Sequence, residues 1–270
     1  MKIFLSLFFL SSTLLFSKVY YSKVEPYELR TISANIAGLV EYVDEESLGK
    51  KLDTTPYVII DSELDRDELA YTKEKIANLK ETLELNTQML QNLQDSLIKK
   101  RENYKRVEVL KIKSQIEKDK EFHDLITSEN TYIGTQKEIV SLKTQIADLE
   151  LRKAQLIRSI KDKTLTAKGF VLYSLAVREG QVVTMATPLA KVADVSKGLL
   201  TIYLDEEDVE EAQEKTVYIN GEKTNYKISR LLRIADSTNI SKYMAQIVIA
   251  SPKVFSKLVK IELKGAEGEK

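Results

Sequence analysis

Apolar residues recur through the middle of the chain in alternating steps of three and four. Leu69, Ile76, Leu79, Leu83, Leu90, Leu93, Leu97, Tyr104 and Val107 form one ladder, broken by polar Thr72, Asn86 and Lys100. A second ladder runs through Leu125, Tyr132, Ile139, Leu142, Ile146, Leu149, Leu156 and Ile160, with Ser128, Thr135 and Lys153 at intervening steps. A 3.5-residue period places one narrow apolar seam on each helix, enough to pack one partner helix. Lys, Glu, Gln and Asn dominate the remaining faces, which predicts that they are solvated. From Tyr57 to Thr187 the chain runs 131 residues without proline and with three glycines, Gly134, Gly169 and Gly180.

A single 100-residue helix is the rival to a hairpin. Ser114-Gln115-Ile116-Glu117 decides between them, because it has the form of a capping box. In that box Ser114 accepts from the Glu117 amide while Glu117 reaches back to the Ser114 amide, marking a new helix start. The arms are then Glu63–Lys111 and Gln115–Asp162, 49 and 48 residues long. Each reaches roughly 70 Å at 1.5 Å per residue.

The segments flanking the hairpin resemble each other. Ala34, Gly38 and Val40 lead to Gly49 and the strand-like Tyr57–Asp61; Ala167, Gly169 and Val171 lead to Gly180, Pro188-Leu189 and Val192–Asp194. Val40 to Gly49 and Val171 to Gly180 are both nine residues. Gly49 and Gly180 are expected at turns of positive φ, where glycine carries no steric cost. Each half is too short to bury a core alone, so the two are expected to close on each other. Beyond them, Leu199–Leu204 alternates as a strand and Asp205–Glu214 reads as a short acidic helix. Val217–Gly221 reads as a strand entering an Asn-Gly turn. Tyr226–Ile234, Met244–Ile249 and Leu258–Leu263 complete the expected strands.

Lys2, the apolar stretch Ile3–Phe16 and the Ser17-Lys18 junction describe a secretory signal peptide, with an uncleaved anchor as the alternative. Lys+Arg and Asp+Glu both count 41, so no net field steers nucleic acid or an acidic substrate. Cysteine is absent, which excludes disulfides, thiolate metal sites and a cysteine nucleophile. One histidine, four methionines and no Gly-rich phosphate loop leave catalysis and metal relay without visible residues. The acidic run Asp205–Asp208 lacks the ligand spacing of a calcium loop and is expected to be a solvated helix start. His123, beside Phe122, is expected as a surface or seam residue. No cofactor is expected.

The order of signal peptide, half-motif, helical hairpin, half-motif and small β-domain resembles the periplasmic adaptor proteins, also called membrane fusion or haemolysin-D-like secretion proteins. The resemblance implies an elongated, multidomain α+β chain: a coiled-coil hairpin inserted between the halves of a lipoyl-like β-sandwich, followed by a small β-barrel. It divides the chain into a signal peptide at 1–17 and an N-terminal β segment at 18–31. A lipoyl-like half follows at 32–62, the hairpin at 63–163 with its tip about 110–115, and a second half at 164–197. The barrel occupies 198–264 and a disordered tail 265–270. Little of the chain is left for a membrane-proximal domain.

At the tip, Arg106, Leu110, Ser114 and Asp119 follow the order of residues with which such adaptors dock on TolC-like outer-membrane channels. The step from Leu110 to Ser114 is shorter than the family's. Arg106 would donate a fork of hydrogen bonds, Leu110 supply an apolar knob, and Ser114 both cap a helix and offer a hydroxyl. The resemblance implies a non-enzymatic periplasmic adaptor linking an inner-membrane transporter, proton-driven or ABC type, to such a channel. It also implies self-association, commonly as a hexamer, and no nucleic-acid partner. A coiled-coil scaffold without a transport role is the alternative. A lipoate or biotin carrier is set aside, since neither half holds an Asp-Lys-Ala or Met-Lys-Met tripeptide.

Overall fold

The computed structural model describes residues 18–235 and 241–265; the expected signal peptide and residues 266–270 of the expected tail lie outside the described residues. The chain begins with β1 (Val19–Lys23), β2 (Glu25–Ser33), β3 (Gly38–Val43) and β4 (Val58–Ile60). Two long helices follow, α1 (Glu63–Glu108) and α2 (Gln115–Asp162). Then come β5 (Thr164–Leu165), β6 (Val171–Leu175), β7 (Val182–Val183), β8 (Pro188–Leu204) and the short α3 (Glu206–Val209). The chain closes with β9 (Thr216–Ile219), β10 (Glu222–Lys223), β11 (Ile228–Ala235), β12 (Tyr243–Ala250) and β13 (Leu258–Lys264).

The two arms form an antiparallel hairpin. Seam residues Ile76, Leu97, Leu125, Ile139, Leu142 and Leu156 are buried between them, as are the hydroxyl-bearing Thr72 and Thr135. Cross-arm ion pairs record the register: Lys80–Glu150 at 3.0 Å, Arg101–Glu129 at 2.8 Å and Arg152–Glu68 at 2.7 Å. These pairs are solvent-exposed, so they steer alignment more than they add stability. Asn86 occupies a seam step, and its buried Nδ2 has no hydrogen-bond partner among the described residues. A polar side chain at such a step specifies register at a cost in stability.

The hairpin leaves and re-enters one small β unit. β4 pairs with β5, and Ile60 N–H donates to Lys163 C=O at 2.8 Å, so the strand that launches the excursion meets the strand that ends it. Asp65 reinforces this base, accepting from Ser159 Oγ at 2.6 Å and pairing with Lys163 at 3.0 Å. The two halves also interlock reciprocally. Gly49 N–H donates to Leu172 C=O at 2.9 Å, while Gly180 N–H donates to Val40 C=O at 2.8 Å. Both glycines hold positive φ, +75° and +79°. The shared core draws Val40, Tyr57, Val58 and Ile60 from one half and Leu165, Leu172, Val177 and Leu189 from the other.

The strand expected at Leu199–Leu204 is the second part of a longer one. β8 continues unbroken from Pro188 to Leu204, and β2 pairs along it from Ser33↔Pro188 to Glu25↔Leu199. Gly198 permits the continuation, because a Cβ there would come within 2.7 Å of Ile249 Cγ1. β8 therefore feeds a second core, where Leu200, Ile202 and Leu204 pack with Val217, Ala245, Ile247 and Ile261. The acidic run also differs from expectation. Its helix covers only Glu206–Val209, and two of its carboxylates are engaged rather than solvated. Lys242 holds Asp205 at 2.6 Å, while Lys18 and Tyr20 hold Asp208 at 3.0 and 2.7 Å. Those contacts fasten β1, itself paired with β13, onto the second unit.

Gly38→Ala would place a Cβ 2.6 Å from Ile60 Cγ2 in the first core. It is expected to destabilise the protein by about 1–3 kcal/mol, read as a lower midpoint in thermal unfolding followed by circular dichroism. Asn86→Leu is expected to do the reverse and raise the melting point of the helical signal, since it removes an unpaired amide from the seam.

Candidate functional site

The apex connects α1 to α2 through residues 109–114. Lys105 and Arg106 sit in the last turn of α1, the basic residues that favour a helix C-terminus. Leu110 N–H donates to Val107 C=O at 3.1 Å, tightening the exit. Ser114 then starts α2 with both bonds of a capping box: its Oγ accepts from Glu117 N–H at 3.3 Å, and its own N–H donates to Glu117 Oε2 at 3.0 Å. Lys113 Nζ adds an ion pair to Glu117 Oε1 at 2.9 Å. The Lys113 ammonium, followed by the backbone N–H and hydroxyl of Ser114, holds the Glu117 carboxyl down to about 2 from an ordinary 4.5. Lys118 Nζ crosses to the Glu108 carbonyl at 2.9 Å and ties the two arms together just below the turn.

The four residues singled out at the tip are spread around it. Leu110 and Ser114 lie in the turn, Leu110 with an exposed side chain. Asp119 accepts from Gln115 Nε2 at 2.8 Å and lines a polar groove of about 350 Å³ with Tyr104, Glu108, Gln115, Lys118 and Phe122. Arg106 is exposed and its guanidinium has no hydrogen bond or ion pair among the described residues. Ser114 is committed to the cap, its hydroxyl also lying 3.0 Å from Glu117 Oε2. Below the groove, Tyr104 and Phe122 pack with ring centroids 5.7 Å apart, and His123 sits against Phe122 at the surface.

Three hydrophobic residues that the heptad reading did not single out face solvent at the tip. Val109, Ile112 and Ile116 are 75%, 89% and 82% exposed, although each is a β-branched hydrophobe. Lys111, Lys113 and Lys118 stand among them. Their signal in the sequence is negative: Ile112 and Ile116 lie on neither apolar ladder, so no seam accounts for them. Exposed apolar residues clustered at the end of a long projection mark a contact surface. Among the described residues no group of three or more His, Asp or Glu is arranged to hold a metal, and no helix is long and apolar enough to cross a membrane.

No protein-family model matches the chain, and no curated protein matches it. Solved structures do match. The chain is similar to MacA from Actinobacillus actinomycetemcomitans, with a TM-score of 0.71 and 18% identity over 92% of this chain and 78% of that one. It is similar to the membrane fusion protein Spr0693 from Streptococcus pneumoniae R6, at a TM-score of 0.66 and 10% identity over 92% and 99% of the two chains. A MacA–MexA chimera carrying the Pseudomonas aeruginosa MexA α-hairpin domain matches at 0.53, with 16% identity over 93% and 82%. At these identities the likeness is one of fold: a helical hairpin with several antiparallel β-sheets, shared with MacA and the membrane fusion protein Spr0693.

Ser114→Ala removes the cap and is expected to fray the first turn of α2 by about 1 kcal/mol, seen as faster amide exchange at residues 115–118 with the remainder of α2 unchanged. The pH dependence has a definite sign. Because the folded Glu117 value is depressed, its contribution is full above the ordinary 4.5 and is lost as pH falls toward 2. An NMR titration is expected to show the tip amides moving in that window, and Glu117→Gln to abolish the transition.

Proposed function

We propose that the chain is a non-enzymatic periplasmic adaptor subunit of a tripartite efflux or secretion system. In this reading the hairpin reaches away from an inner-membrane transporter and its tip docks on a TolC-like outer-membrane channel. The first β unit plays the part of the family's lipoyl-like sandwich and the second that of its barrel. Several copies stand side by side around the export path, a hexamer being the arrangement the resemblance implies. The N-terminal apolar segment acts as the export signal.

One observation carries the proposal: a hairpin of 46- and 48-residue helices ends in an apex whose side chains are free for a partner. A rigid pair of helices spans about 70 Å at little entropic cost, which a flexible linker cannot do at fixed geometry. Arg106 offers an unengaged guanidinium suited to channel carbonyls or carboxylates. Leu110, together with Val109, Ile112 and Ile116, offers apolar surface to a cleft. Ser114 and Asp119 shape the turn and its groove. The likeness to MacA and to a membrane fusion protein supports the same direction.

Photocrosslinking in cells tests this. A photoreactive residue at Leu110 or Ile112 is expected to capture an outer-membrane channel, while one at the outward-facing Gln88 is not, and Arg106→Glu is expected to weaken capture by at least about tenfold, the loss of one good charge-assisted contact. Absence of any channel adduct from an expressed and exported protein would instead support a scaffold without a transport role.

A further inference from the structure

The second β unit turns one face of a sheet toward solvent. Its strands β1, β13, β9 and β10 stand side by side in that order. Tyr20 of β1, Val259, Ile261 and Leu263 of β13 and Val217 of β9 point into the core. Alternation along a strand sends their neighbours to the opposite face. There Val19 lies across from Glu262, Tyr21 across from Lys260 and Lys23 across from Leu258. Tyr218 continues the row of Glu262, and Lys223 of β10 pairs with Tyr218. Tyr21 and Leu258 are 65% and 64% exposed.

The charge on this face is one-sided. Lys23, Lys223, Lys260 and Lys264 serve it against a single carboxylate, a net +3. Glu262 is bracketed by Lys260 at 2.7 Å and Lys264 at 2.9 Å, and Lys264 also stands 4.4 Å from the centre of the Tyr218 ring. Lys23 and Lys223 make no ion pair among the described residues. Other carboxylates lie off the face. Asp205, Glu207 and Asp208 meet Lys18, which falls on the inward side of β1 with Tyr20. Glu222 pairs with Ile219, whose side chain packs inward. At the rim, Glu25 and Glu214 are matched by Lys253 and Lys257 of the loop before β13.

A sheet face is broad rather than concave, and this one has the chemistry of a membrane interface. Tyrosine and aliphatic side chains suit the acyl boundary, while lysine ammoniums sit at headgroup level and are drawn to anionic lipid. The course of the chain brings such a surface near. The apolar stretch Ile3–Phe16 ends three residues before Val19, a reach of about 10 Å. The strand bordering the face therefore stands beside the membrane whenever that segment occupies it.

We propose that this face rests on an anionic phospholipid surface, with Tyr21 and Leu258 at the acyl boundary and Lys23, Lys223 and Lys260 among the headgroup phosphates. The contact goes beyond the adaptor reading and is independent of what the tip binds.

The chain has no tryptophan, so Tyr21→Trp introduces a single reporter. Exported chain carrying it, mixed with vesicles of phosphatidylglycerol and phosphatidylcholine, is expected to co-sediment and to shift its emission to the blue. Both effects are expected to fall away at high salt and with pure phosphatidylcholine. A tryptophan placed instead at Gln88 in the hairpin is expected to stay unshifted. Lys23→Gln and Lys223→Gln are each expected to weaken binding about fivefold, the share of one lysine near an anionic surface. Neither change disturbs the ion pairs of Glu262. Binding that survives both substitutions, with no shift at residue 21, would overturn the proposal and assign the lipid contact to another surface, such as the basic tip. Equal binding to both kinds of vesicle would overturn the role of the lysines, and no binding to either would overturn the contact itself. Channel capture from Leu110 is expected to be unchanged in both lysine variants, so failure of this contact and failure of the adaptor reading are told apart.

Discussion

The two β halves complete one core, and that requirement governs the rest of the chain. Val40, Tyr57 and Ile60 are buried only because Leu165, Leu172 and Leu189 return to meet them. About 100 residues intervene, and closing a flexible loop of that length costs roughly 4 kcal/mol beyond a constant. Two antiparallel helices of nearly equal length remove the problem, because they bring their own ends back to the starting point. The β4–β5 pairing and the Asp65–Lys163 clamp are where the debt of closure is settled.

Rigidity at the base gives direction to the tip. A hairpin held by one strand pair and one seam projects its turn at a defined angle, so the exposure of Val109, Ile112 and Ile116 is a consequence of geometry. The cap built from Ser114, Glu117 and Lys113 keeps that turn short, and the side chains of Arg106 and Leu110 stay exposed beside it. The seam is narrow for the same reason that the flanks are available: a 3.5-residue period spends few side chains on the partner arm and leaves two edges to differ from each other. They do differ in apolar shape, since the groove lined by Ile133 and Val140 opens beside one of them.

Much of this was legible from residue order. The heptad ladders located both arms, and Ser114-x-x-Glu117 located the start of α2, because helix periodicity and capping are local properties. The equal spacing of Gly49 and Gly180 from Val40 and Val171 announced their positive φ, since a turn at matching positions leaves glycine few alternatives. Less legible was the continuity of β8. Val192–Asp194 and Leu199–Leu204 were read as separate segments, whereas Gly198 between them lets Ile249 approach one continuous strand. The acidic run was read as solvated because its partners, Lys18, Tyr20 and Lys242, are remote along the chain.

The sequence by itself determined the elements that depend on neighbours a few residues away: two amphipathic arms, a capped turn and two glycine-bearing β halves. Tertiary structure alone decided the contacts between distant segments. It interlocked the halves through Gly49 to Leu172 and Gly180 to Val40, and it routed β8 through two cores. It also showed which apolar residues have no partner arm to cover them. Ile133 and Val140 belong to neither ladder in a linear reading; only the folded hairpin shows them lining an open groove beside the seam. Periodicity specifies a face of a helix, but what that face meets is set by the packing of chain segments far apart in sequence.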